Sequence, residues 1–126
     1  MSNLLNKNLN NCRCIFFKDI KCSALIGIHP HELESKQELI INLEIYIKVS
    51  DSASSTDNIK DTLDYDKIND GVIQIVNKKH YSLQETLIDI IADFCISQNN
   101  VKAVRVLTAK TQAYKNCESV GIEVFK

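Results

Sequence analysis

The sequence predicts an α+β domain, a four-stranded antiparallel sheet with two helices packed on one face, in the chain order ββααββ. Two observations carry this prediction. Leu39, Ile41, Leu43, Ile45, Ile47 and Val49 alternate with Ile40, Asn42, Glu44, Tyr46 and Lys48, and such period-two alternation marks a long strand with one apolar face. Further on, two segments carry apolar residues at helical spacing and are followed by β-branched stretches, so paired strands flank two consecutive amphipathic helices.

The elements follow in order. Residues 1–13 are Asn-rich and aperiodic and are expected to form a disordered leader, with the single domain over 14–126. The first strand is expected near Cys14, running through Ile15-Phe16-Phe17-Lys18-Asp19-Ile20 and Cys22-Ser23-Ala24-Leu25-Ile26 to Gly27. Residues 29–36 are polar, hold the single proline and read as the connection of an antiparallel pair. After the long strand comes a Ser/Asp-rich loop over 50–58. Ile68, Val72, Ile75 and Val76 then mark the first helix, with Asp64 or Asp66 placed to cap it. Leu83, Leu87, Ile90, Ile91, Phe94 and Cys95 form the stripe of the second, and Ser82-Leu83-Gln84-Glu85 fits a capping box at its start. Residues 101–108 and the final strand at 120–125 complete the sheet, joined by a polar loop over 111–118. So small a sheet leaves open edges and a second face bearing Tyr46 and Ile40, which predicts a homo-oligomer.

Composition narrows the function classes. A chain of 126 residues suits one domain, and a net charge of -1 gives no long-range attraction to nucleic acid or anionic membrane. Lys78-Lys79-His80 is too short for a basic patch and reads as a solvated helix end. The cysteines, Cys12, Cys14, Cys22, Cys95 and Cys117, are odd in number and lack metal-site spacing, which fits reduced thiols. The first residues hold no unbroken apolar stretch of signal-peptide type, so a cytoplasmic location is expected.

Four polar residues, Glu32, Tyr65, Glu85 and Lys110, sit where patterned segments begin, end or turn, the rims on which folds gather chemistry. Pattern alone leaves bland readings beside the functional ones. Glu85 reads as the reciprocal partner of a cap, Lys110 as a solvated strand end, Tyr65 as an aromatic packed at a helix start and Glu32 as a loop carboxylate. His29-Pro30-His31 superficially suggests zinc, but a catalytic site needs three protein ligands and His80 lies far along the chain, so no metal is expected.

Five short motifs occur in order: Gly27-Ile28-His29-Pro30-His31-Glu32, Asp61-Thr62-Leu63-Asp64-Tyr65, Ser82-Leu83-Gln84-Glu85-Thr86-Leu87, Arg105-Val106-Leu107-Thr108-Ala109-Lys110 and Ser119-Val120-Gly121-Ile122-Glu123. Together, over residues 15–125, the chain resembles the dihydroneopterin aldolase family of folate biosynthesis. The resemblance implies a tunnelling fold (T-fold) whose subunits join edge to edge into a tetrameric barrel, with two barrels stacked as an octamer and active sites between subunits. It implies retro-aldol cleavage of 7,8-dihydroneopterin, with a ring C=N bond as the electron sink and no cofactor. Glu85 would anchor the pterin, Lys110 would move protons through water, Tyr65 would close over the ring from a neighbouring subunit, and Glu32 would orient the side-chain hydroxyls or a catalytic water. The family often has proline after its catalytic lysine, whereas Thr111 stands here. That departure keeps open an epimerase acting on dihydroneopterin triphosphate, with Lys36 and Lys115 as candidates near the substrate's tail. A non-catalytic pterin-binding assembly module is a third reading.

Overall fold

Alternation in the long strand organises the molecule. In the computed structural model, which describes residues 9–126, Gln37–Lys48 (β2) pairs on one side with Cys12–Ala24 (β1) and on the other with Val101–Lys110 (β3). β3 pairs in turn with Val120–Phe125 (β4), so the sheet order is β1-β2-β3-β4 with every pairing antiparallel. A short helix, Pro30–Glu34 (α1), lies within the β1–β2 connection, where Pro30 occupies a first-turn position that needs no N–H. Tyr65–Lys78 (α2) and Gln84–Ile96 (α3) cover one face of the sheet.

The core is where the periodicities meet. The apolar face of β2 presents Leu39, Ile41, Leu43 and Ile45 to Ile68, Val72 and Val76 of α2 and to Leu87, Ile91 and Cys95 of α3. Each such side chain stabilises the fold by roughly 1.5–3 kcal/mol on burial. A Cβ at Gly71 would stand 2.1 Å from the Phe94 ring, so this glycine sets how closely α2 approaches α3. The opposite face is mixed. Tyr46 is buried there with Leu9 and Ala103, and its hydroxyl donates to Glu44. Glu44 also accepts from Arg105, which reaches Glu123 on β4.

Several expectations are corrected. Leu9 is buried against Tyr46 and β1 begins at Cys12, two residues ahead of the expected start at Cys14; the first eight residues of the expected leader lie outside the described ones. Val49 belongs to a 3-10 turn after β2 and is 42% exposed. Ile90 is 40% exposed, whereas Ile88 and Ala92 are buried, because α3 packs with its stripe turned towards β3 and β4. The capping box does not form either. Leu83 takes the N-cap position of α3 without a side-chain cap, leaving Glu85 in the first turn.

Candidate active site

At one end of the sheet β1 stops, β2 begins, β3 ends and β4 begins. Register places Gln37 beside Ala24, and Lys110 between Leu39 and Val120. The β1–α1 segment and the α2–α3 turn close over this end. Tyr81 N–H donates to Leu25 O at 3.0 Å, Gly27 N–H donates to Tyr81 O at 2.9 Å, and His80 Nε2 lies 2.8 Å from Gly27 O. Between them opens a cavity of about 640 Å³ that Glu32, Glu85 and Lys110 all line.

Glu32 sits at its base. Its carboxylate Oε2 accepts from Lys110 Nζ at 2.8 Å and from Gln37 Nε2 at 2.8 Å, while Oε1 accepts the His29 N–H at 3.3 Å. Gln37 is fixed in turn because the same amide also donates to Ile26 O at 2.8 Å. Burial on its own would raise the Glu32 pKa. The hydrogen bonds from Lys110, Gln37 and the His29 backbone, with the lysine's charge, outweigh it and lower the pKa from 4.5 to about 2. The pair is well enclosed, the side chains of Lys110 and Glu32 being 13% and 6% exposed.

Gly27 explains why the carboxylate fits. Its φ of +126° lies in a region that favours glycine, and an added Cβ would fall 2.1 Å from the Glu32 carboxyl carbon. The glycine therefore supplies both the turn and the space over which the acid lies.

Glu85 differs from Glu32 in burial and in partners. It is exposed, stands in the first turn of α3 and has no hydrogen-bond or ion-pair partner among the described residues. The cavity thus combines an acid already paired with an amine and an acid free to accept two parallel donors. Its apolar surface includes Ile28 and Leu83, both largely exposed.

Three of the four residues singled out in the sequence are therefore gathered. Tyr65 is not with them. It opens α2, a helix whose 14 residues span roughly 20 Å. There it is 56% exposed and packs edge-on against Phe17, with ring centroids 6.3 Å apart. Lys36, His29 and His31 line the cavity, whereas Lys115 does not. The rings of His29 and His31 stack at 5.8 Å, and no group of three or more His, Cys, Asp or Glu side chains among the described residues could hold a metal. Sequence reading missed Gln37, which carries no motif of its own and becomes significant only when the β1–β2 pairing returns it to Ile26 and Glu32.

Comparison with known proteins agrees with this architecture. A folic acid synthesis protein of Dictyostelium discoideum is 30% identical over 110 residues, which are 87% of this chain but only 17% of that protein's length. A dihydroneopterin triphosphate 2'-epimerase of Pseudomonas aeruginosa is 30% identical over 105 residues, 83% of this chain and 85% of that one. The crystal structure of a dihydroneopterin aldolase from Burkholderia thailendensis, bound to guanine, matches with a TM-score of 0.87 at 33% identity, over 98% of this chain and 97% of that chain. The sheet and its two helices are accordingly a tunnelling fold. The family model described as dihydroneopterin aldolase matches residues 15–125, and the chain belongs to that family.

Proposed function

We propose that the chain cleaves 7,8-dihydroneopterin by a retro-aldol reaction to 6-hydroxymethyl-7,8-dihydropterin and glycolaldehyde in folate biosynthesis, and that it epimerises the side chain by the same chemistry. The observation that carries this reading is the enclosed Lys110–Glu32 pair, 2.8 Å apart, in one cavity with Glu85, which has no partner among the described residues. A flat 2-amino-4-oxo ring offers an amino group beside a ring N–H, and a carboxylate accepts both in parallel. Guanine, the ligand of the Burkholderia protein, presents the same edge.

With the ring anchored by Glu85, the side chain extends towards Lys110 and Glu32. Lys110 gives an ammonium proton, through a water, to the ring nitrogen and, as the free amine, takes the proton of the side-chain hydroxyl beyond the bond to be broken. As glycolaldehyde leaves, the electron pair of the carbon–carbon bond moves into the ring C=N, whose nitrogen is protonated. The enol-like intermediate then gains a proton at carbon and loses the one on nitrogen, giving the hydroxymethyl product. Re-addition of glycolaldehyde through the opposite face of its carbonyl, before that proton arrives, gives the epimer. Glu32, ionised and held at both oxygens, orients the hydroxyls or the water.

Tyr65 enters from a second copy of the chain, closing over the ring and assisting proton transfer. The site is then completed in a cytoplasmic homo-oligomer, a tetramer or octamer, with active sites between subunits. What supports this is the separation of Tyr65 from the cavity together with its exposed ring.

Purified protein incubated with 7,8-dihydroneopterin is expected to release glycolaldehyde and the hydroxymethyl product, and their absence would overturn the reading. Lys110→Ala is expected to lower kcat at least a hundredfold while pterin binding persists, and Glu85→Ala to weaken binding.

A second reading, epimerisation of dihydroneopterin triphosphate, is favoured by the loop after Lys110. Thr111 Oγ1 donates to Glu38 at 2.8 Å, and Lys36, His29 and His31 line the same cavity. Comparing kcat/KM for the free and triphosphorylated substrates separates the two. Pterin binding without turnover would instead leave a binding and assembly module.

A further inference from the structure

Thr108, near the end of β3, is 1% exposed, and its hydroxyl needs a partner. It donates to Gln84 Oε1 at 2.8 Å, and the other end of the same amide, Nε2, donates to Val120 O at 3.3 Å. Gln84 is the first residue of α3, and Val120 is the first of β4. One side chain therefore ties the start of a helix to two strands, beside the cavity it also lines.

The start of α3 has particular need of such a tie. Its N-cap, Leu83, has no side-chain hydrogen bond, so the first turn is not held by its own cap. The residue after Gln84 is Glu85, with no partner among the described residues to hold its carboxylate. Its position then follows from where the helix backbone is held.

We infer that Gln84 is a positioning residue for Glu85: its bridge from Thr108 to Val120 fixes the first turn of α3, so that the Glu85 carboxylate is already in place for the amino and ring N–H groups of a pterin. This rests on the reading of Glu85 as the anchor. Preorganising an acceptor removes an ordering cost from binding, so the effect belongs in ligand affinity more than in the chemical step.

The test is a mutant cycle read by neopterin affinity. Gln84→Leu removes the amide while keeping a good helix former, and Thr108→Val removes the hydroxyl from the other end. Each is expected to weaken neopterin binding about five- to tenfold, the loss of one hydrogen bond converted to affinity. The double variant should lose no more than either alone. Thr108→Ser is expected to bind as wild type. In turnover, KM for dihydroneopterin should rise with kcat nearly unchanged. In a Glu85→Ala background, Gln84→Leu should cost nothing further. Wild-type affinity in Gln84→Leu, or an undiminished loss in the Glu85→Ala background, would overturn the inference while leaving Glu85 as the anchor. Wild-type affinity in Glu85→Ala alone would overturn the anchor reading itself.

Discussion

Glu32 shows how much one side chain can hold together. Its carboxylate takes Lys110, Gln37 and the His29 N–H, and lies over the space that Gly27 leaves open. Its pKa, lowered to about 2 from 4.5, has a direct consequence. Above pH 4.5 the acid is ionised whether the chain is folded or not, and the pairing stabilises the fold fully. As pH falls from 4.5 towards 2, the unfolded chain binds the proton first and that contribution is lost, on the order of 3 kcal/mol in all. Glu32→Gln leaves the Lys110 ammonium enclosed and unpaired, so it should destabilise the protein by about 3 kcal/mol at neutral pH. Urea unfolding across a pH series should show this gap narrowing between pH 4.5 and 2; a gap independent of pH would contradict the account. In the sequence Glu32 was only a loop carboxylate beside a family glycine, because its partners Gln37 and Lys110 are assembled by strand pairing. Glu85 was legible as a candidate, but its capping role was not realised once Leu83 became the N-cap.

Among the elements, β2 was the most legible, since one buried face enforces the alternation throughout. The helices were legible in kind and in most of their core positions. Asp64 caps α2, accepting the Asp66 N–H at 3.0 Å, as the sequence allowed. Asp64→Ala should lower stability by about 1 kcal/mol in chemical denaturation, and a change within error would show the cap to be dispensable. The rotation of α3 was not legible, because Ile88 and Ile90 are equally apolar and only packing against β3 and β4 selects which is buried. The same limit applies to β1. Its register shifts between Phe17 and Ile20, with Asp19 at φ +58° and its N–H donated to Asn42 Oδ1 at 2.8 Å. No local pattern announces that bulge.

At the scale of the whole molecule, the four candidate residues are divided. Lys110, Glu32 and Glu85 share one cavity, and Tyr65 stands apart at the other end of α2. If a second copy supplies Tyr65, two defective variants should complement each other. Lys110→Ala and Tyr65→Phe proteins, each weakly active alone, are expected on denaturation and mixed refolding to recover about one quarter of wild-type activity, from sites that inherit an intact residue from each parent. Mixtures no more active than the sum of their parts would place Tyr65 outside the site. The sequence by itself determined the α+β class, the ββααββ order, the core face of β2 and the identity of the candidate side chains, because periodicity and turn chemistry are local properties of a chain. Tertiary structure alone decided that Glu32 and Lys110 form an enclosed pair, that Gln37 and Gln84 brace the cavity, and that Tyr65 lies elsewhere. Those contacts join residues distant in sequence, and they exist only once register and packing have closed the sheet.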